Sequence, residues 1–314
     1  MLGRWEEQTS SPVEKQAQAE LWATSEASIA KYLESRGLAE RSQLSDARER
    51  LWLPLARITQ TCWKDPSHPL ILGILGGQGT GKTTLAGILQ ILLQAQGLRT
   101  VTLSIDDFYN TFCDRKLLFE QDPRFCWRGP PGTHDVGLAV ETLQQLKAGA
   151  DKVELPRFDK SAFDGAGDRT DPEICGPIDV AILEGWFVGT QPIERSALQT
   201  PREFLETPED RTFAQVCNDN LRAYQSIWQL LDRLIILNPE DFRLSKQWRQ
   251  EAEQKMIAQG KTGMCDREIS EFVEYFWRSL HPELFITPLT KPGSAADLVV
   301  EIIRDRKLGQ IYQP

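Results

Sequence analysis

Gly76-Gly77-Gln78-Gly79-Thr80-Gly81-Lys82-Thr83 is the stretch that decides the fold of this chain of 314 residues. It matches the pattern G-x-x-x-x-G-K-[ST] of a phosphate-binding loop, or P-loop. The apolar run over 70–75 predicts a buried strand before the loop, and the Leu-, Ile- and Ala-rich run over 82–95 predicts a helix after it. In that setting backbone N–H groups and the helix N-terminus face a phosphate. We therefore expect a nucleoside triphosphate to be bound by Gly76, Gly77, Gln78, Gly79, Thr80, Gly81, Lys82, Thr83 and Thr84.

Outward from the loop, short apolar runs alternate with helical stretches from residue 69 onward. This alternation predicts an α/β fold with a doubly wound, mainly parallel five-stranded sheet and flanking helices. The predicted strands lie near 70–75, 100–105, 178–183, 233–237 and 297–303, with a short accessory strand over 153–158. The predicted helices lie near 82–95, 136–148, 209–230, 241–259 and 266–279.

The first 66 residues have a different pattern, in which apolar residues such as Leu21, Ile29 and Leu33 recur near helical spacing. We interpret residues 1–66 as a helical extension that packs on a P-loop domain formed by residues 67–314.

Composition excludes several classes of function. The formal net charge is −9 and no dense Lys/Arg stretch occurs, so nucleic acid is not an expected partner. The longest apolar runs are too short to span a bilayer, and the N-terminus lacks the features of a secretory signal. Six scattered cysteines without a Cys-x-x-Cys pair, and three dispersed histidines, favour reduced thiols and argue against a Cys- or His-based metal site. We expect a cytoplasmic protein with no membrane partner.

Two acidic residues end predicted strands. Asp106 follows the second strand, which we place beside the P-loop strand, where a carboxylate near the γ-phosphate could accept the proton of an attacking hydroxyl. Glu184 follows the third strand, where an acid holds Mg²⁺ directly or through water, together with the Thr83 hydroxyl. A solvated loop acid is the alternative interpretation of Asp106 and of its neighbour Asp107.

Other P-loop classes fit less well. Glu184 is followed by glycine, so the Asp-Glu pair that motor ATPases use to activate water is missing, and no Asn-Lys-x-Asp sequence that would recognise guanine occurs. The pattern therefore favours a kinase that phosphorylates a small molecule.

Basic residues in two polar segments between the second and third strands suggest the kind of acceptor. They are Arg128, Arg157, Lys160 and Arg169. Arginine binds a carboxylate with two parallel hydrogen bonds, so these residues would suit a small anionic acceptor, although each could instead be a surface charge. Asp135 is placed to cap the helix predicted over 136–148.

These motifs resemble known enzymes. The P-loop, residues 104–109 (Ser-Ile-Asp-Asp-Phe-Tyr) and residues 183–186 (Leu-Glu-Gly-Trp) are similar to the phosphoribulokinase, uridine kinase and pantothenate kinase superfamily. More specifically, residues 128–135, 155–161, 167–169 and 184–186 resemble the D-glycerate 3-kinase family of plants and cyanobacteria. The resemblance implies transfer of the ATP γ-phosphate, with Mg²⁺, to the 3-hydroxyl of D-glycerate during photorespiratory carbon recovery.

The resemblance also implies roles for individual residues. Asp106 would be the general base, Lys82 would neutralise the phosphates, and residues 239–265 would form a lid that brings Arg249, with Arg243, over the transferring phosphate. The implied acceptor-binding residues are Asp106, Arg128, His134, Asp135, Arg157, Lys160 and Arg169. Phe158 departs from the family, which often has tyrosine there, and Arg267 has no assigned role.

Two alternatives stay open on the sequence alone. One is a kinase for another small hydroxyl compound, such as a pantothenate-like or nucleoside-like acceptor. The other is a nucleotide-binding regulatory protein without transfer activity, although the set Lys82, Thr83, Asp106 and Glu184 speaks against it.

Overall fold

The structure, a computed structural model, describes residues 11–38, 44–63, 65, 68–258 and 263–314. Parts of the predicted extension and residues 259–262 of the predicted lid therefore lie outside the described residues. The helices are α1 (Pro12–Ser35), α2 (Leu44–Ala47), α3 (Leu53–Cys62), α4 (Lys82–Ala95), α5 (Phe112–Gln121), α6 (Val136–Lys147), α7 (Pro208–Trp228), α8 (Leu244–Ala258), α9 (Asp266–Ser279) and α10 (Pro282–Phe285). The strands are β1 (Leu70–Gly76), β2 (Thr100–Ser104), β3 (Val153–Asp159), β4 (Asp168–Cys175), β5 (Val180–Gly185), β6 (Arg233–Pro239), β7 (Leu298–Ile302) and β8 (Leu308–Tyr312).

The central sheet has the order β2-β5-β1-β6-β7-β8. The first five of these strands are parallel and β8 is antiparallel to β7, which confirms the α/β, mainly parallel sheet. Two expectations were wrong. The sheet has six strands rather than five, and β2 is not beside the P-loop strand, because β5 pairs with both β1 and β2 and lies between them. Strand order depends on crossovers that the linear sequence does not record.

The apolar character of β1 follows from its position. All seven residues of β1 are buried, and successive side chains point to opposite faces of the sheet. Ile71 and Leu75 enter the apolar layer that contains α6 and α7, whereas Leu72 and Ile74 enter the layer that contains α4. Burial of each such side chain stabilises the fold by about 1.5–3 kcal/mol.

The helices before β1 contribute to the layer on the α4 side. Ile29 and Leu33 of α1, with Leu51 and Leu55, belong to the same buried cluster as Leu89 of α4. None of the helices in the described part of the chain combines the length and the hydrophobicity that a membrane span requires.

A separate antiparallel pair, β3 and β4, lies near the carboxyl end of β2. The accessory strand over 153–158 is confirmed, but its partner β4 was not predicted, because β4 is largely exposed and its sequence is polar. The helix α5 was also not predicted, since no residue in it is buried and it carries no apolar face.

Candidate active site

The P-loop lies between β1 and α4, which confirms the strand–loop–helix context expected of a phosphate-binding loop. Gly79 and Gly81 have φ angles of +79° and +89°, a region that glycine enters without the steric cost of a Cβ atom. The Thr80 hydroxyl donates a 2.8 Å hydrogen bond to the Gly77 carbonyl and closes the turn. The helix α4 then begins at Lys82, so its N-terminal N–H groups are available to an anion.

The helix α8, in the predicted lid, packs directly on this loop. Its residue Trp248 is 1% exposed, and its indole N–H donates a 3.0 Å hydrogen bond to the Arg304 carbonyl. A Cβ atom placed on Gly79 would lie 2.7 Å from the Trp248 Cβ atom, so the glycine permits this close approach.

We expect Gly79→Ala to lower the free energy of unfolding by about 2–4 kcal/mol, because the strain of positive φ is added to the collision with Trp248. Gly81→Ala is the matched control: it has the same backbone strain, but nothing lies within 4 Å of its added Cβ atom. Its cost should be about 1–2 kcal/mol. Urea denaturation and tryptic cleavage within α8 measure the difference, and equal effects would show that the Trp248 contact is unimportant.

Glu184 lies beside the P-loop because β5 pairs with β1 and brings Glu184 opposite Ile74. The Thr83 hydroxyl donates a 2.7 Å hydrogen bond to Glu184 Oε1, while Oε2 is buried and has no partner among the described residues. A buried, unpartnered carboxylate oxygen next to the P-loop threonine fits a Mg²⁺ site. Within the described ranges, no three or more Asp, Glu, His or Cys side chains lie together in a way that could hold a metal ion.

The hydroxyl of Tyr32 in α1 connects the N-terminal helices to this corner. It donates a 2.9 Å hydrogen bond to the Thr83 carbonyl, passing over Gly87, where any added Cβ atom would lie 2.2 Å from the hydroxyl oxygen. Burial raises the pKa of the Tyr32 hydroxyl, so it stays a donor at neutral pH. Sequence reasoning missed this contact, since no local pattern pairs residues 51 positions apart.

Asp106 lies in the 3₁₀ turn Ile105–Phe108 that follows β2. Its carboxylate accepts a 2.6 Å hydrogen bond from Lys160 Nζ, a lysine whose side chain is 60% exposed. Burial raises the pKa of the Asp106 carboxyl, but the bonded Lys160 and the nearby charge of Lys82 outweigh it and lower the pKa. Asp106 is therefore a carboxylate at neutral pH, close to the lysine of the P-loop.

Asp107 has a different environment. Its carboxylate accepts hydrogen bonds from the Ser104 backbone N–H at 2.8 Å and from Arg157 at 3.2 Å, so it closes the turn after β2. Burial raises the pKa of Asp107. Arg157 also donates to the Thr102 carbonyl and to Glu173, so protein groups occupy its guanidinium in this structure.

Asp135 caps α6 by accepting a 2.9 Å hydrogen bond from the Leu138 N–H, which confirms the predicted cap. Its other oxygen pairs with Arg169 Nη2 at 2.9 Å, and Arg169 Nε donates to the Tyr109 carbonyl at 2.8 Å. These bonds fasten β4 to the segment after β2.

His134 is buried beneath the same segment. Its ring stacks on Tyr109 with 4.4 Å between centroids, and its Nδ1 lies 2.8 Å from the Tyr224 hydroxyl. The Gly132 N–H donates to the Tyr224 oxygen, so we assign the phenol as the donor to Nδ1. Burial lowers the pKa of His134 to about 3, and the ring is therefore neutral at physiological pH.

Arg128 and Arg115 also lie beside Tyr109. Both guanidinium groups contact the rings of Phe158 and Tyr109 and donate to carbonyls of the β3–β4 turn. Arg128 was predicted from its motif, whereas Arg115 was missed because α5 itself was missed.

Arg249 of α8 pairs with the buried Glu253 at 2.9 Å and lies over the Phe272 ring. Arg243 pairs with Glu203 and Asp241. None of these contacts is with Lys82 or Asp106. The structure therefore brings together the P-loop, Glu184, Asp106 and Lys160, whereas both arginines of the predicted lid form ion pairs with other acidic residues.

Comparison with known proteins gives relatives among kinases. The chain is 34% identical over 262 residues to a chloroplastic D-glycerate 3-kinase of Arabidopsis thaliana, which covers 79% of this chain and 55% of that protein. It is 33% identical over 222 residues to the uncharacterized kinase mug58 of Schizosaccharomyces pombe, and that alignment covers 68% of this chain and 80% of mug58. This chain thus spans little more than half the length of the first of these relatives. No protein-family model matches the chain.

Among solved structures, a D-glycerate 3-kinase from Cryptococcus neoformans superposes with a TM-score of 0.71 at 26% identity. The alignment covers 97% of this chain and 100% of that structure. The similarity therefore includes the helices before β1 as well as the P-loop core.

Proposed function

The chain belongs to the family of P-loop kinases that includes the D-glycerate 3-kinases, and from this we propose that it transfers the γ-phosphate of ATP to the 3-hydroxyl of D-glycerate. The observation that supports the proposal most is the position of Asp106 in the turn after β2, where it is hydrogen-bonded to Lys160 and near enough to Lys82 for that charge to lower the pKa of its carboxyl. A hydroxyl bound at Asp106 would meet the terminal phosphate of a nucleotide held by the P-loop.

The P-loop residues have distinct tasks in this proposal. The backbone N–H groups at the start of α4 bind the phosphates, and Lys82 neutralises the β- and γ-phosphates. Thr83 and Glu184 would hold Mg²⁺, which lowers the negative charge that the acceptor oxygen meets. Glu184 Oε2, which has no hydrogen-bond partner among the described residues, and the Thr83 hydroxyl would supply the oxygen ligands that this ion prefers.

The transfer step follows from the position of Asp106. Asp106 accepts the proton of the acceptor hydroxyl as the hydroxyl oxygen forms its bond to the γ-phosphorus. The bond between the γ-phosphorus and the oxygen that bridges to the β-phosphorus breaks, and ADP leaves with that electron pair. Lys160 donates to Asp106 Oδ2, and because its side chain is exposed it is free to turn toward an anionic acceptor and so uncover that oxygen.

A coupled assay of ADP release tests the proposal. We expect turnover with D-glycerate at least tenfold above the background without acceptor, lost on chelation by EDTA and restored by Mg²⁺. The panel includes L-glycerate, pantothenate and uridine at equal concentration. A higher kcat/KM for pantothenate or uridine would identify a different kinase, and ATP binding without transfer to any acceptor would favour a regulatory protein.

The proposal also includes a cytoplasmic location and a role in photorespiratory carbon recovery. The role in carbon recovery is supported by the expected product, 3-phosphoglycerate. Fractionation that finds the native protein in an organelle would contradict the location.

A further inference from the structure

Two arginines share one aromatic surface beside the candidate base. The guanidinium carbon of Arg115 lies 5.1 Å from the centroid of the Phe158 ring, and that of Arg128 lies 5.6 Å from it. The same two groups lie 5.9 Å and 6.0 Å from the centroid of the Tyr109 ring. Because both guanidinium groups contact the same two rings, their positive charges lie close together.

Neither charge has a carboxylate partner among the described residues. Arg115 donates to the carbonyls of Asn110, Ala166 and Gly167, and Arg128 donates through Nη1 alone to the carbonyls of Gly165 and Ala166. The other arginines that the sequence predicted to bind substrate or phosphate differ, since each has an acidic partner; these are Arg157, Arg169, Arg243 and Arg249. Burial and the charge of Arg128 lower the pKa of Arg115, whereas the charge of the nearby Asp168 acts in the opposite direction.

The free edge of Arg128 has the shape that a carboxylate needs. Its Nε and Nη2 atoms make no hydrogen bond within the described ranges. These two atoms form one side of the planar guanidinium, where a carboxylate accepts two parallel hydrogen bonds. The phosphates of a nucleotide already have the P-loop and Lys82, so this edge is available to the other substrate.

Tyr109 connects this edge to the candidate base. Burial and the negative charge of Asp106 raise the pKa of the Tyr109 hydroxyl, whereas the charge of Arg128 acts in the opposite direction. The guanidinium carbon of Arg128 lies 6.0 Å from the centroid of the Tyr109 ring, and Asp106 lies in the 3₁₀ turn that ends directly before Tyr109. A short hydroxy acid with its carboxylate at Arg128 would present a hydroxyl toward Asp106.

We propose that Arg115 and Arg128 together hold the carboxylate of the acceptor and so make the enzyme prefer small hydroxy acids to neutral polyols of the same size. This inference rests on the proposed function, in which the acceptor hydroxyl is phosphorylated at Asp106. Arg128 supplies the paired hydrogen bonds, and Arg115 supplies the second positive charge and fixes the turn that both arginines hold.

The experiment compares D-glycerate with its uncharged methyl ester in wild type, Arg115→Met and Arg128→Lys. Wild type should prefer the acid by about 100-fold in kcat/KM, since a charge-assisted contact would be lost with the ester. In Arg115→Met the KM for the acid should rise about 30- to 100-fold, and in Arg128→Lys at least about tenfold. The kcat/KM for the ester should change less than about threefold in both. Arg195→Met, at an exposed arginine paired with Asp219, is the control for loss of an arginine.

Several results would overturn the inference. Equal losses for acid and ester would indicate that Arg115 only supports the turn, and a wild type that does not prefer the acid would exclude a carboxylate site while leaving the kinase intact. Binding is measured separately as the rise of Tm caused by D-glycerate without nucleotide. If wild type transfers phosphate to no acceptor, the proposed function fails, but a Tm rise that is lost in Arg115→Met and kept in Arg195→Met would still support the site. No rise in wild type would exclude it.

Discussion

Asp106→Asn is expected to lower kcat by about 10²–10⁴-fold, the usual contribution of a single general base. The asparagine side chain keeps the size of the carboxylate but cannot accept the proton of the acceptor hydroxyl. The hydrogen bond from Lys160 can still form to the amide oxygen, so the turn after β2 should keep its shape. Nucleotide affinity, measured by titration of an ATP analogue, should therefore stay within about threefold, because the P-loop donors are untouched.

Asp107→Asn is the matched control for this variant. Asp107 accepts hydrogen bonds from Ser104 and Arg157, and an amide oxygen can replace the carboxylate in both. Its kcat should fall by less than about tenfold. If Asp106→Asn retained more than a third of the wild-type kcat, Asp106 would not be the base.

Lys82→Met should reduce kcat/KM by about 10²–10³-fold, the effect of removing one preorganised positive donor from the transition state. Lys82 is half-buried at the first position of α4, and within the described ranges it makes no ion pair with an acid. Its charge is therefore available to a phosphate. Methionine retains the length of the side chain, so packing of the loop should be little changed.

The measurement is steady-state kinetics with varied ATP, together with Tm as a check on folding. Lys152→Met serves as the control, because this exposed lysine directly before β3 lies 3.8 Å from Glu154 and has no role in our proposal. A Lys82→Met enzyme with kcat/KM within tenfold of wild type would exclude the lysine from phosphate neutralisation.

Much of the fold could be predicted because its signals are local. The P-loop motif and the apolar runs over 70–75 and 180–183 indicate buried parallel strands, and the cap at Asp135 follows from one residue before a helix. The strand order could not be predicted, because nothing in the sequence of β2 records that β5 separates it from β1. The strand β8 is short and partly exposed, so its apolar signal was too weak to detect.

The candidate site divides in the same way. Glu184 and Asp106 could be found because Glu184 lies at the end of β5 and Asp106 comes just after β2, and acids at strand ends meet at one edge of a parallel sheet. Partners that are distant in sequence could not be predicted. Glu173, for example, accepts hydrogen bonds from the guanidinium of Arg157 but is 16 residues away along the chain. Arg115 could not be predicted as a site residue, because it lies on a helix that has no buried residue and so gives no periodic apolar pattern.

The hydrogen bond between Lys160 and Asp106 has a consequence for wasteful ATP hydrolysis. Water carries no charge, so a water molecule that enters beside a bound nucleotide does not compete with Asp106 for the ammonium group of Lys160. An anionic acceptor does, because its carboxylate and Lys160 attract each other across the same cleft. On our proposal, the base is released only when the correct partner has arrived, and a cell that lacks the acceptor would keep its ATP.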